Sequence, residues 1–130
     1  MHLDLVSVIV FDYDAAIDFF TRVLDFDVAE DSPSVTNDGR PKRWVVVRPP
    51  GGGTGLLLAK ADGAEQVSAV GRQFAGRVGL FLRVDDFPGT LARLRGAGVE
   101  ILGEPRQESY GQVVVFRDPF GNKWDLLSGG

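Results

Sequence analysis

Residues 5–11, LVSVIVF, alternate in a way that predicts a strand. The even positions Val6, Val8 and Val10 are β-branched and apolar, as a core-facing surface requires, while Leu5, Ser7, Ile9 and Phe11 are mixed. The next stretch, DYDAAIDFFTRVLDF, changes period. Ala16, Phe19, Phe20, Val23 and Leu24 recur at helical spacing, and Asp12 or Asp14 is placed to cap the first turn. A strand near FDVAE is expected next, followed by a polar loop, DSPSVTNDGRPK. RWVVVRPP and TGLLLAK then read as two strands joined by the glycine-rich turn PPGGG.

The second half repeats this order. RVGLFLRV places Val78, Leu80, Leu82 and Val84 on one face and Gly79, Phe81 and Arg83 on the other. DDFPGTLARLRGAG reads as a helix with Pro88 near its first turn, Leu91, Leu94 and Ala97 on one side, and Gly98 as its C-cap. VEILGE, GQVVVFR and KWDLL complete the set of strands. In DPFG, Asp118, Pro119 and Gly121 occupy the positions a type I turn prefers, so this hinge has a local explanation. The expected fold is α+β: two tandem βαβββ modules, about residues 3–60 and 77–128, joined by a linker over 61–76 with one helical turn. A helix covers one face of each short, curved mixed sheet. Placed side by side, two such modules enclose a cavity lined by the odd positions of the first, fourth and fifth strands, with Asp125 among them.

Composition narrows the chemistry. A chain of 130 residues is one domain's worth and buries a real core. A net charge of −4 argues against nucleic acid and gives no attraction to an anionic membrane. The absence of cysteine excludes disulfides and thiolate sites. No apolar run reaches the length of a membrane span and the start lacks a signal-peptide pattern, so the expectation is a cytoplasmic protein. The sole histidine, His2, lies at a terminus and on the even face, which leaves acid–base work to carboxylates, Arg, Lys and Tyr.

The candidate chemistry centres on Asp125, a carboxylate inside KWDLL. It shares a face with Lys123 and Leu127, opposite Trp124 and Leu126, and Trp124 reads as core. Such a group is paired, solvated or neutral. It orients a cationic or hydroxyl-bearing ligand, serves as acid or base, or pairs with Arg83 or Arg48. Phe81 offers an aromatic wall with Gly79 giving a ligand room, or it is ordinary packing. Trp44 and Tyr110 carry the same two readings, with Tyr110 also placed to close a loop. Arg40, Lys42 and Arg43 in GRPKRW draw an anionic substrate, cap the cavity, or belong to a solvated loop, the commoner fate of such a run. PPGGGTG lacks the Lys-Ser/Thr ending of a phosphate loop and reads as a hairpin turn.

The duplicated βαβββ order, FDYDAAIDFFTRVLDF and FRDPFGNKWDLL together resemble the vicinal oxygen chelate superfamily across essentially the whole chain. That superfamily includes glyoxalase I, extradiol dioxygenases and bleomycin-resistance binding proteins, and the resemblance implies a homodimer. It also implies four metal-ligand positions, which fall on Leu5, Leu57, Gly79 and Asp125. Three of these have no ligating side chain, and one carboxylate does not make a zinc or iron site. The expectation is therefore a metal-free protein without cofactor that sequesters a hydrophobic or aromatic small molecule. Its expected ligand-binding residues are Leu5, Ser7, Trp44, Leu57, Gly79, Phe81, Arg83, Tyr110 and Asp125. The alternatives are a glyoxalase- or dioxygenase-like enzyme with an atypical metal site or Asp125 as acid/base, and an interaction module.

Overall fold

The alternating runs pair into two four-stranded mixed sheets, one from each half of the chain. They belong to two units, Met1–Val67 and Ser68–Gly130, in a computed structural model that describes residues 1–129. The boundary falls inside the expected linker, where a helix α2 (Ala64–Ala69) stands in place of a single turn.

In the first unit β1 (Leu5–Val10) runs parallel to β4 (Gly55–Lys60), and β3 (Pro41–Arg48) lies antiparallel between β4 and the edge strand β2 (Asp27–Val35). Helix α1 (Tyr13–Asp18) starts at Asp12, whose carboxylate accepts the Ala15 N–H at 2.7 Å and supplies a partner the first turn lacks. It continues as a wider π-helical turn, Phe19–Val23, in which the Leu24 N–H reaches back to the Phe19 carbonyl. Val8, Val10, Val45, Val47 and Leu58 are fully enclosed, as are Ala16 and Phe20 of the helical segment. Burying each large apolar side chain here contributes roughly 1.5–3 kcal/mol. Phe20 meets Phe19 edge-on at 5.2 Å and Phe26 at 5.5 Å.

The expected polar loop over residues 31–42 is not a loop. Strand β2 runs on to Val35, and only residues 36–40 turn. Proline is tolerated in this stretch because β2 is an edge strand, so Pro33 withholds an N–H that no further strand needs. The turn closes through Thr36, whose N–H donates to the Arg40 carbonyl and whose hydroxyl accepts the Arg40 N–H. Gly39, at φ 86°, takes the left-handed position.

In the second unit β5 (Val78–Val84) runs parallel to β8 (Lys123–Ser128), with β7 (Gly111–Arg117) and the edge strand β6 (Glu100–Glu108) completing the sheet. Strand β6 outruns the expected VEILGE because pairing resumes at Arg106 after an irregularity that follows Leu102. Helix α3 (Phe87–Gly96) is capped by Asp86. It ends in a double closure, with the Gly98 N–H on the Arg95 carbonyl and the Val99 N–H on the Leu94 carbonyl. Phe87, Thr90, Leu91 and Leu94 form its buried face; Ala97, expected there, is the exposed C-cap instead. Trp124 is core, stacked on Phe116 at 5.6 Å.

Candidate functional site

Strands β3 and β4 pair only at Val46↔Leu57 and Val47↔Leu56. Toward residues 41–44 and 59–61 that ladder stops. The Arg43 N–H is taken by the Tyr13 hydroxyl at 3.2 Å rather than by a strand. At this split lies a cavity of about 610 Å³, within the range that encloses a small organic molecule. Trp44, Leu57 and Ala59 supply its apolar wall, and Lys42 lies two residues from Trp44 on the same strand face. The split explains why Tyr13, Arg43 and Lys60, from the other face of the sheet, also reach the cavity.

An ion-pair clasp closes the far end. Arg40 on the 36–40 turn grips Asp62 with two parallel bonds of 3.0 and 2.8 Å and holds Asp38 through Nε. Hydrogen bonding to Asp62 and then Asp38 raises the guanidinium pKa above its ordinary value, and Arg40 in turn lowers that of Asp62. Arg43 is engaged in the same manner by Asp31 and Asp14, and its guanidinium lies 5.1 Å from the Tyr13 ring centre. The run read as a solvated loop is thus a strand end and a turn, with both arginines committed.

Of the expected site residues, Trp44 and Leu57 line this cavity, whereas Leu5 and Ser7 lie on β1, beyond β4. The others belong to the second unit. Phe81 stands directly opposite Asp125, which stands opposite Val115, so the three share one sheet face; Phe81 is 63% exposed. Arg83 is not the partner of Asp125, since it donates to the Ser128 carbonyl at 2.6 Å, and Arg48 is held by Asp4 at 2.7 Å. Tyr110 sits half-exposed in the turn between β6 and β7.

The space that a side chain would take at Gly79 is occupied. A Cβ there would lie 2.2 Å from the Phe74 ring, so the chain's own aromatic side chain fills that space. Gly79→Ala should therefore destabilise by about 1–3 kcal/mol through overpacking. A thermal midpoint equal to that of the parent protein would show that the ring moves aside freely.

Asp125 itself is partly buried, and its Oδ1 has no hydrogen-bond partner among the described residues. Burial pushes the carboxyl above its ordinary value of 3.8, opposed in part by the charge of Arg106. A raised acid costs stability once ionised. The cost is absent below the unfolded value, grows as pH rises toward the folded one, and is constant above it. Asp125→Asn should accordingly raise the thermal midpoint at neutral pH and give no gain below 3.8. A lower midpoint at neutral pH would contradict this.

The donor set does not fit a divalent metal. The positions implied as ligands are Leu5, Leu57, Gly79 and Asp125, of which only Asp125 carries a donor, and its strand neighbours are Phe81 and Val115. No group of three or more His, Cys, Asp or Glu side chains among the described residues is arranged to hold a metal ion. No helix among them is long and apolar enough to cross a membrane.

Asp118 opens the DPFG turn as the residue pattern indicates, with the Gly121 N–H on its carbonyl, but the pattern did not reveal its burial or the donors gathered on its side chain. It is 3% exposed and accepts from the N–H groups of Phe120 and Asn122, from the Asn122 amide, and from the Trp124 indole at 3.0 Å. An aspartate that opens a turn and bonds the N–H two residues on is a signal the sequence does carry.

A family profile described as the Glyoxalase/Bleomycin resistance protein/Dioxygenase superfamily matches residues 2–126. An uncharacterized protein of Shewanella frigidimarina (strain NCIMB 400) is 46% identical over 94% of this chain and 89% of its own. The uncharacterized protein YetH of Bacillus subtilis (strain 168) is 34% identical over 90% of this chain and 89% of its own. Among solved structures, TnmS3, an antibiotic binding protein from Streptomyces sp. CB03234, superposes with a TM-score of 0.75 at 32% identity, covering 100% of this chain and 97% of that one.

Proposed function

Because the chain belongs to the Glyoxalase/Bleomycin resistance protein/Dioxygenase superfamily, we propose that it is a metal-free binder of a hydrophobic or aromatic small molecule. The observation that carries this reading is the 610 Å³ cavity at the split between β3 and β4, with Trp44 in its wall. A half-exposed tryptophan beside a preformed concavity offers a large flat surface at low entropic cost. The likeness to an antibiotic binding protein supports sequestration rather than turnover. The ligand is held at one molecule per chain and released unchanged. Equilibrium titration followed by chromatography of the bound compound tests this, and recovery of a converted product contradicts it.

A homodimer is part of the proposal and rests on family likeness. Light scattering should give twice the chain mass of 14.1 kDa, and a monomer would remove it. The orphaned Asp125 oxygen favours one second reading, an enzyme with Asp125 as acid or base. That reading requires turnover that Asp125→Asn abolishes.

A further inference from the structure

The cavity wall holds four cationic side chains, Arg40, Lys42, Arg43 and Lys60, against one carboxylate, Asp62. The two arginines are spent, Arg40 on Asp38 and Asp62 and Arg43 on Asp14 and Asp31. Both oxygens of Asp62 accept from Arg40, so this carboxylate is not free to hold a cationic ligand. The side chains of Lys42 and Lys60 have neither an ion pair within 4 Å nor a hydrogen bond among the described residues, and the Lys42 charge acts on Asp62 only as the last of several influences that lower its carboxyl. Of these two, Lys60 pairs in register with Val10 on the helix-covered face, whereas Lys42 alternates onto the face of Trp44. Two residues along a strand is roughly 7 Å, about the width of one or two fused rings. A flat molecule lying on Trp44 therefore brings a substituent at its edge within reach of the Lys42 ammonium.

We propose that the compound held in this cavity is an aromatic anion and that Lys42 is the charge partner of its anionic group. This rests on the cavity being a binding site, and it adds the ligand's charge. The positive character is local, since the chain as a whole carries −4. Salt should therefore weaken the contact without removing the contribution of Trp44.

Anthracene-2-carboxylate and anthracene-2-carboxamide differ in charge and hardly in shape, and titrating both against the full chain separates charge from stacking. The carboxylate should bind about tenfold more tightly. Lys42→Met should bring the ratio close to one, while Lys42→Arg and Lys60→Met keep it. Lys42 is exposed, so these variants should fold, and an unchanged thermal midpoint checks that they do. Equal affinity of the two probes for the parent protein overturns the anion and leaves the binding cavity standing. A preference that survives Lys42→Met overturns Lys42 as the partner. Binding of neither probe overturns this inference together with the binding reading.

Discussion

Replacing Asp118 by alanine should cost about 4 kcal/mol and lower the thermal midpoint by about 12 °C or more. Four donors converge on this carboxylate, two from the backbone and two from the side chains of Asn122 and Trp124. Asn122 and Trp124 are 2% and 3% exposed, so water cannot replace the lost acceptor without opening the sheet. Each stranded donor carries about 1–3 kcal/mol of desolvation. Asp118→Asn should not rescue, because its amide turns one N–H₂ toward groups that themselves donate. Trp124→Phe removes a single donor and keeps a ring against Phe116, so it should cost far less than Asp118→Ala. Near-ultraviolet circular dichroism during melting, recorded in a Trp44→Phe background, follows Trp124 as the remaining tryptophan. A loss below about 3 °C for Asp118→Ala would contradict the role assigned to this residue.

Replacing Trp44 by alanine should weaken binding of an aromatic compound about thirtyfold, or about 2 kcal/mol, while leaving stability nearly unchanged. The asymmetry follows from position. Trp44 is 37% exposed in the cavity wall, so its packing is made largely with the ligand, whereas Trp124 is enclosed whether or not a ligand is present. The chain has two tryptophans, which makes the check direct. Fluorescence quenching by the ligand should disappear in Trp44→Phe, where the remaining signal is that of Trp124. Quenching that persists in that variant would place the ligand elsewhere.

The sequence revealed the fold through its periods and the site only in fragments. Val6, Val8 and Val10 announce a strand by themselves, and Phe19, Phe20 and Val23 a helical face, because burial imposes the repeat of the local backbone on the residue types. The extension of β2 through Pro33 was not legible, because whether a strand tolerates proline depends on edge position, which is a property of the sheet. Leu57 was legible as an odd-position residue and Trp44 only as an aromatic candidate, and the split that makes a cavity of them arises where a ladder between two distant strands stops. Gly79 looked like open space because the ring that fills it comes from Phe74, outside its own strand. The cation that acts on Asp125 is Arg106 rather than Arg83 because β6 resumes pairing after an irregularity, which no local pattern encodes.

The measurement that bears most directly on the central claim is the thermal midpoint of tag-free protein across two series. One contains zinc, nickel, manganese and ferrous ions, and the other flat aromatic compounds and glycopeptide antibiotics. A ligand present at about a hundred times its dissociation constant adds roughly 2.7 kcal/mol, a shift of several degrees in a chain of this size. A rise is expected with an aromatic compound and none with any metal. A rise with a divalent metal alone would contradict it.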